Sequence, residues 1–148
     1  MTGRVLGIDY GSVRIGIALS DDSNKIAIGK ELIPNDSHLL QKLFEFIKQN
    51  NVGTIVLGYP LTLKGTKSAF TLKTEKFETE LHSYLSEKNF NIPIIRWDER
   101  LTSKMAEKSI IDSGMKKKKK KDKGSLDIIS AVLILQSYLD SNAFNRTL

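Results

Sequence analysis

Between residues 5 and 22 the chain reads VLGIDYGSVRIGIALSDD, an alternation of apolar and small residues interrupted by a carboxylate at Asp9. A period of two is the pattern of a strand with one buried face. The turn YGSVR, with Gly11 as its permissive residue, predicts a hairpin pairing residues 5–8 with 14–19. In the second strand Ile15, Ile17 and Leu19 share one face, and Gly16 and Ala18 the other. In the first, Val5, Gly7 and Asp9 share a face, with Gly7 expected to leave open space beside the acid. An inward carboxylate is costly unless something compensates it, so this hairpin constrains function as well as fold.

A third strand is predicted at 25–33, ended by Pro34, which completes an antiparallel meander. After it the rhythm changes. Leu40, Leu43, Phe44 and Ile47 recur at helical spacing and are stopped by Asn50, Asn51 and Gly53. TIVLGYP then reads as a short buried strand. Phe70, Thr74, Phe77, Leu81, Tyr84 and Leu85 trace a second helix, and IPIIRWDER a fifth strand. Thr102 is placed to cap a helix ending near Gly114, and Ser125 to cap the last, LDIISAVLILQSYLD. That last helix is apolar nearly all round and is expected to be sandwiched between layers. A meander followed by alternating helix and strand predicts an α/β fold: a mixed five-stranded sheet with helices on both faces.

The length, 148 residues, suits one domain over 1–148, and 40% apolar residues suffice for a core. With no cysteine, disulfides, thiolate zinc sites and cysteine nucleophiles are excluded. Asp9 interrupts the stretch where a secretory signal needs apolar residues, and the longest apolar run, near 128–135, is far short of a membrane span. A cytoplasmic protein with no membrane partner is therefore expected. The net charge of +6 is matched by six lysines at 116–121, leaving the rest of the chain neutral. This run falls in a segment, 115–124, that reads as a flexible loop. Clustered lysines are commonly a solvated segment, and they also gain from counterion release at phosphates.

Three acids sit where core residues are expected: Asp9, Glu99 near the carboxyl end of the fifth strand on the face of Trp97, and Asp127 in line with Ala131 and Ile134 on the last helix. Each has an ordinary role open to it. Asp9 can end a strand and brace a turn, Glu99 can pair with Arg96 or Arg100, and Asp127 suits the first turn of a helix. Together they are informative, because clustering three carboxylates requires a cation. Oxygen-only ligation points to Mg²⁺ or Mn²⁺, and His38 and His82 read as structural or surface residues.

The ordered set GIDYGSVRIGIAL, VLGYPLTLKGT, WDERLTS and LDIISAVLILQSYL resembles the YqgF (RuvX) family of Holliday junction resolvases and pre-16S rRNA nucleases, almost end to end. The resemblance implies an RNase H-like fold and makes Asp9, Glu99 and Asp127 the metal-binding, catalytic acids. It also implies substrate contacts from Arg14, Thr62, Lys64, Thr66, Arg100 and Thr102; the phosphate-holding role given to Lys116, Lys117 and Lys118 comes instead from their clustered charge, in a run longer than the family leads one to expect. In such sheets the first strand neighbours the fourth, which puts Glu99 about two strand spacings, roughly 10 Å, from Asp9. Asp98, on the opposite face by alternation, is the substitute ligand if the strand end twists. Gly58 and Pro60 are read as turning the chain.

The resulting expectation is a metal-dependent endonuclease acting on structured nucleic acid, foremost at the 5′ end of pre-16S rRNA. Holliday junction resolution and a non-catalytic, ribosome-associated RNA-binding module are the alternatives. An ATPase of the actin and hexokinase class is disfavoured because its members close two such domains on the nucleotide. Nucleic acid, either pre-rRNA or branched DNA, is the expected partner, and the chain is a monomer or homodimer.

Overall fold

The computed structural model describes residues 3–101 and 123–147. The alternating segment forms β1 (Arg4–Asp9) and β2 (Arg14–Ser20), antiparallel, with Leu6 opposite Leu19 and Asp9 opposite Gly16. β3 (Ala27–Pro34) pairs antiparallel with β2. It begins two residues later than the pattern predicts. The carboxylate of Asp21 accepts the backbone N–H groups of Lys25 (2.9 Å) and Ile26 (3.1 Å), holding them in a turn instead of the ladder.

β4 (Val52–Tyr59) and β5 (Ile94–Asp98) run parallel to β1 on its other side. The sheet order is therefore β3-β2-β1-β4-β5, with β1 central. α1 (Leu39–Gln49) buries Leu39, Leu43 and Ile47 at four-residue spacing. It stops at Asn50, after which Asn51 takes a left-handed φ of 52°. α2 (Ala69–Glu87) starts from a capping box in which Ser68 and Thr71 exchange hydrogen bonds. α3 (Lys123–Thr147) begins before Ser125, so residues 123 and 124, expected in a loop, are helical and Ser125 lies inside the helix.

Ile15, Ile17 and Leu19 pack with Leu43, Phe77 and Leu81 on the α1/α2 side of the sheet. Val5, Ala18 and Val56 pack with Ala131, Ile134, Leu135 and Tyr138 of α3 on the other. Each fully buried aliphatic side chain contributes roughly 1.5–3 kcal/mol, enough to fix which strand residues face which helix. The mixed sheet with helices on both faces is as expected. The sandwiching of α3 is not seen among the described residues. Ala131, Ile134, Leu135, Tyr138 and Leu139 are buried against the sheet, while Ile128, Ile129, Val132 and Leu133 remain half-buried. Among the described residues no helix is long and apolar enough to cross a membrane. The helix expected up to Gly114, its cap Thr102, and Lys116, Lys117 and Lys118 lie outside the described residues.

Candidate active site

Asp9 is the last residue of β1, at the carboxyl ends of the parallel strands, and points to the α3 side as Val5 and Gly7 do. The expected open space at Gly7 is absent. A Cβ there would lie 2.7 Å from Leu135 Cβ, so the glycine serves close approach of α3 to the sheet. Gly16 does the same at the helix start, where a Cβ would come 2.4 Å from the carbonyl oxygen of Asp127. The missing side chains on β1 and β2 thus seat α3 deep enough to bring Asp127 to the end of β1.

Glu99 arrives differently. β5 ends at Asp98, and Glu99 opens a 3-10 turn, Glu99–Leu101, rather than continuing the strand face of Trp97. β4 stands between β5 and β1, and its Gly58 is paired with Trp97. A Cβ on Gly58 would sit 3.1 Å from Glu99 Cδ and 3.2 Å from its Cγ. The Glu99 side chain crosses β4 over this bare backbone and reaches Asp9, where the two carboxyls share a hydrogen bond. The two-strand gap foreseen from the sequence is closed by side-chain length and by a glycine. Gly58, for which the sequence suggests a turn, is paired inside β4 instead; a glycine inside an otherwise apolar strand is the signal that something passes close to the backbone.

Burial foremost, then the charges of Glu99 and Asp127, push the Asp9 carboxyl up from 3.8 to about 8. Glu99 is raised as well, by burial first, while its hydrogen bond with Asp9 opposes the shift. Protonated Asp9 therefore donates to the Glu99 carboxylate, as expected when two carboxyls cannot both be charged. A proton held near neutral pH between oxygen donors is a place that a hard divalent cation fits, since the cation satisfies both carboxylates at once. Asp127 is turned to Arg14, whose Nε donates to its Oδ2 at 2.8 Å. Accordingly, among the described residues no three acidic or histidine side chains are grouped closely enough to hold a metal ion in this conformation. His38 and His82 are exposed.

Asp98 does not join the acids. It stands opposite Tyr59, and its carboxylate binds Arg100, whose Nη2 lies 2.6 Å from Oδ2. That hydrogen bond first of all holds Asp98 below the usual carboxylate range. Of the two arginines that the sequence offered to Glu99, Arg96 forks onto Glu78 and Arg100 onto Asp98. Thr62, Lys64 and Thr66 lie together in the turn after β4. The Thr62 and Thr66 hydroxyls are 2.6 Å apart, Lys64 is exposed, and the guanidinium of Arg100 lies against Gly65. The structure therefore assembles two groups, Asp9, Glu99, Asp127 and Arg14 in one and Arg100 with Thr62, Lys64 and Thr66 in the other.

A family model described as "RuvX: Holliday junction resolvase" matches residues 3–141. A protein of Ruminiclostridium cellulolyticum named "Putative pre-16S rRNA nuclease" is 44% identical over 97% of this chain and 98% of its own length. The protein of the same name from Bacillus subtilis is 37% identical over 93% of this chain and 98% of its own. In fold the chain is similar to Thermus thermophilus RuvC in complex with a Holliday junction substrate. That TM-score is 0.54 at 11% identity, over 89% of this chain and 91% of the other. It is also similar to fowlpox virus resolvase in complex with Holliday junction DNA, with a TM-score of 0.58 at 15% identity, over 93% and 97%. The fold is that of RNase H-like resolvases, and the chain belongs to the RuvX family of nucleases.

Proposed function

We propose that this chain is a metal-dependent endonuclease, located in the cytoplasm, that trims the 5′ end of precursor 16S rRNA. The observation that carries the reading is the contact of Glu99 with Asp9 across Gly58, which leaves a carboxyl that titrates at about 8 at the end of the central strand. Such a group is unfavourable for stability and is retained where chemistry needs it. The choice of RNA rests on the naming of relatives that cover nearly the whole chain.

Asp9, Glu99 and Asp127 would hold Mg²⁺ or Mn²⁺, which supplies an activated water and charge for the departing oxygen of a phosphodiester. To hold such an ion Asp9 would have to release the proton it shares with Glu99 to solvent. Arg14, which pairs with Asp127 in the metal-free form, would then be available to a phosphate of the substrate. Thr62, Lys64, Thr66 and Arg100 would contact the strand; Thr102, outside the described residues, is added to them from the resemblance, and Lys116, Lys117 and Lys118 would add non-specific attraction for polyanion.

The test is digestion, in Mg²⁺ or Mn²⁺, of a transcript spanning the 5′ end of precursor 16S rRNA beside a four-way DNA junction. Cleavage of the transcript is expected, with loss in Asp9→Asn. Cutting of the junction while the RNA stays intact favours the resolvase reading, to which the description of the family model points. Cleavage undiminished by Asp9→Asn removes the acids from the mechanism. RNA bound but never cut, with all three acids dispensable, leaves a binding module.

A further inference from the structure

The Asp98–Arg100 pair belongs to neither the shared-proton acids nor the core. Asp98 Oδ1 accepts the backbone N–H of Arg100 at 2.9 Å. Its two oxygens accept Arg100 Nε at 3.1 and 3.0 Å, and Oδ2 accepts Nη2 at 2.6 Å. This fork fixes the guanidinium while leaving it 37% exposed. Its Nη1 end lies against Gly65, where a Cβ would come within 3.0 Å.

Gly65, at φ +83°, is the bend of a small closed turn. Thr62 N–H donates to Thr66 O at 2.9 Å, Gly65 N–H donates to Thr62 O at 2.8 Å, and Leu61 bridges Lys67. A turn tied at three points has little freedom to lose when it meets a ligand. The turn carries Lys64, which is exposed, next in sequence to the glycine that meets the guanidinium, and the paired hydroxyls of Thr62 and Thr66, so positive charge and hydrogen-bonding groups belong to one short element.

We propose that Asp98 is a positioning residue rather than a metal ligand: it aims the Arg100 guanidinium at the 62–66 turn, and together they form a clamp for a backbone phosphate of the nucleic acid. Because Asp98 holds the Nε and Nη2 edge, the phosphate would be met by the Nη1 end as a charged donor, and a point charge from Lys64 with neighbouring hydroxyls would complete the recognition. The clamp rests on the nuclease reading above for its ligand class, but its contacts are with the substrate and not with the metal.

Binding and cleavage are therefore measured separately. A fluorescein-labelled RNA hairpin with a single-stranded 5′ tail is titrated with the full chain in EDTA across a range of KCl, and Mn²⁺ binding is followed by electron paramagnetic resonance. Asp98→Asn and Gly65→Ala are each expected to weaken the RNA about fivefold. Each should lower the slope of affinity against salt by about one, as Arg100→Gln should. Adding Asp98→Asn to Arg100→Gln should cost nothing more, and Mn²⁺ binding by Asp98→Asn should equal that of the unaltered chain. Gly65→Ala leaves the Asp98 carboxylate in place, so it reports on the clamp even if Asp98→Asn disturbs the fold. Loss of Mn²⁺ binding in Asp98→Asn, comparable to Asp9→Asn, overturns the proposal. RNA affinity and salt slope unchanged in both Asp98→Asn and Gly65→Ala, or no RNA binding by the unaltered chain, also overturns it. Because no cleavage occurs in EDTA, a chain that binds as expected but never cuts refutes the nuclease reading and leaves the clamp standing.

Discussion

Gly58 governs the meeting of Asp9 and Glu99 by what it lacks, since a methyl group there would intrude on Glu99 Cγ and Cδ and also lie 2.6 Å from Ile134 Cδ1. Gly58→Ala should cost about 1–3 kcal/mol from overpacking, visible as a lower melting temperature. The loss of cleavage should be larger, about a hundredfold, because Glu99 is displaced from Asp9 while the rest of the sheet persists. Equal activity in a folded Gly58→Ala protein would show that Glu99 does not need that path. Arg14 offers the contrasting case. Arg14 and Asp127 are 31% and 34% exposed, so their ion pair should contribute no more than about 1 kcal/mol. Arg14→Gln is accordingly expected to melt within a few degrees of the unaltered chain. It should bind Mn²⁺ several-fold more tightly, because a competing cation is gone from Asp127 Oδ2. Weaker Mn²⁺ binding would mean that Arg14 orders Asp127 for the metal instead of competing for it.

At the scale of elements, the turn after β4 is held to its neighbours through Glu75 of α2. Tyr59 donates to Glu75 at 2.7 Å, Lys67 Nζ lies 2.8 Å from it, and Arg96 of β5 sits over the Tyr59 ring at 4.8 Å. The Lys67 hydrogen bond first, then that of Tyr59, holds Glu75 below the usual glutamate range. The folded form therefore releases its proton more readily than the unfolded chain. Its contribution is present above the ordinary glutamate pKa and is lost as the pH falls through the lowered one. Thermal melts of Glu75→Gln should thus fall below the unaltered chain at neutral pH, and the gap should close on acidification. The elements themselves were largely legible in the sequence, because period two and period 3.6 follow from backbone geometry and need no partner. Their ends were less so. Lys25 and Ile26 leave the ladder for the Asp21 carboxylate, and Glu99 leaves β5 for a 3-10 turn; both depend on a contact beyond the local pattern. The acids could be suspected because charges on core faces demand compensation, whereas the passage over Gly58 required knowing which strand stood between which, and the capture of Asp98 by Arg100 two residues on required knowing that the chain turns there.

For the whole molecule, the acid cluster sets stability and function against each other. The Asp9 carboxyl is at 3.8 when unperturbed and about 8 in the fold, so between these values the folded chain binds more protons than the unfolded one. The sign follows directly: without metal, stability is greatest below pH 4 as far as this group is concerned, and it declines as the pH rises through the window to about 8. The decline from Asp9 is of the order of a few kcal/mol, large against the 5–15 kcal/mol that usually holds a domain together. Asp9→Asn should remove it, giving a metal-free chain that melts higher than the unaltered one at pH 8 and differs much less at pH 5. Mn²⁺ or Mg²⁺ should act unequally on the two proteins, raising the melting temperature of the unaltered chain most at high pH and barely moving Asp9→Asn. Melts in EDTA and in Mn²⁺, at half-unit steps from pH 5 to 8.5, measure all four curves. If metal-free stability is flat across that range, or metal stabilises both proteins alike, the carboxyl at the end of β1 is not strained by burial and the central strand carries no latent binding energy for a cation.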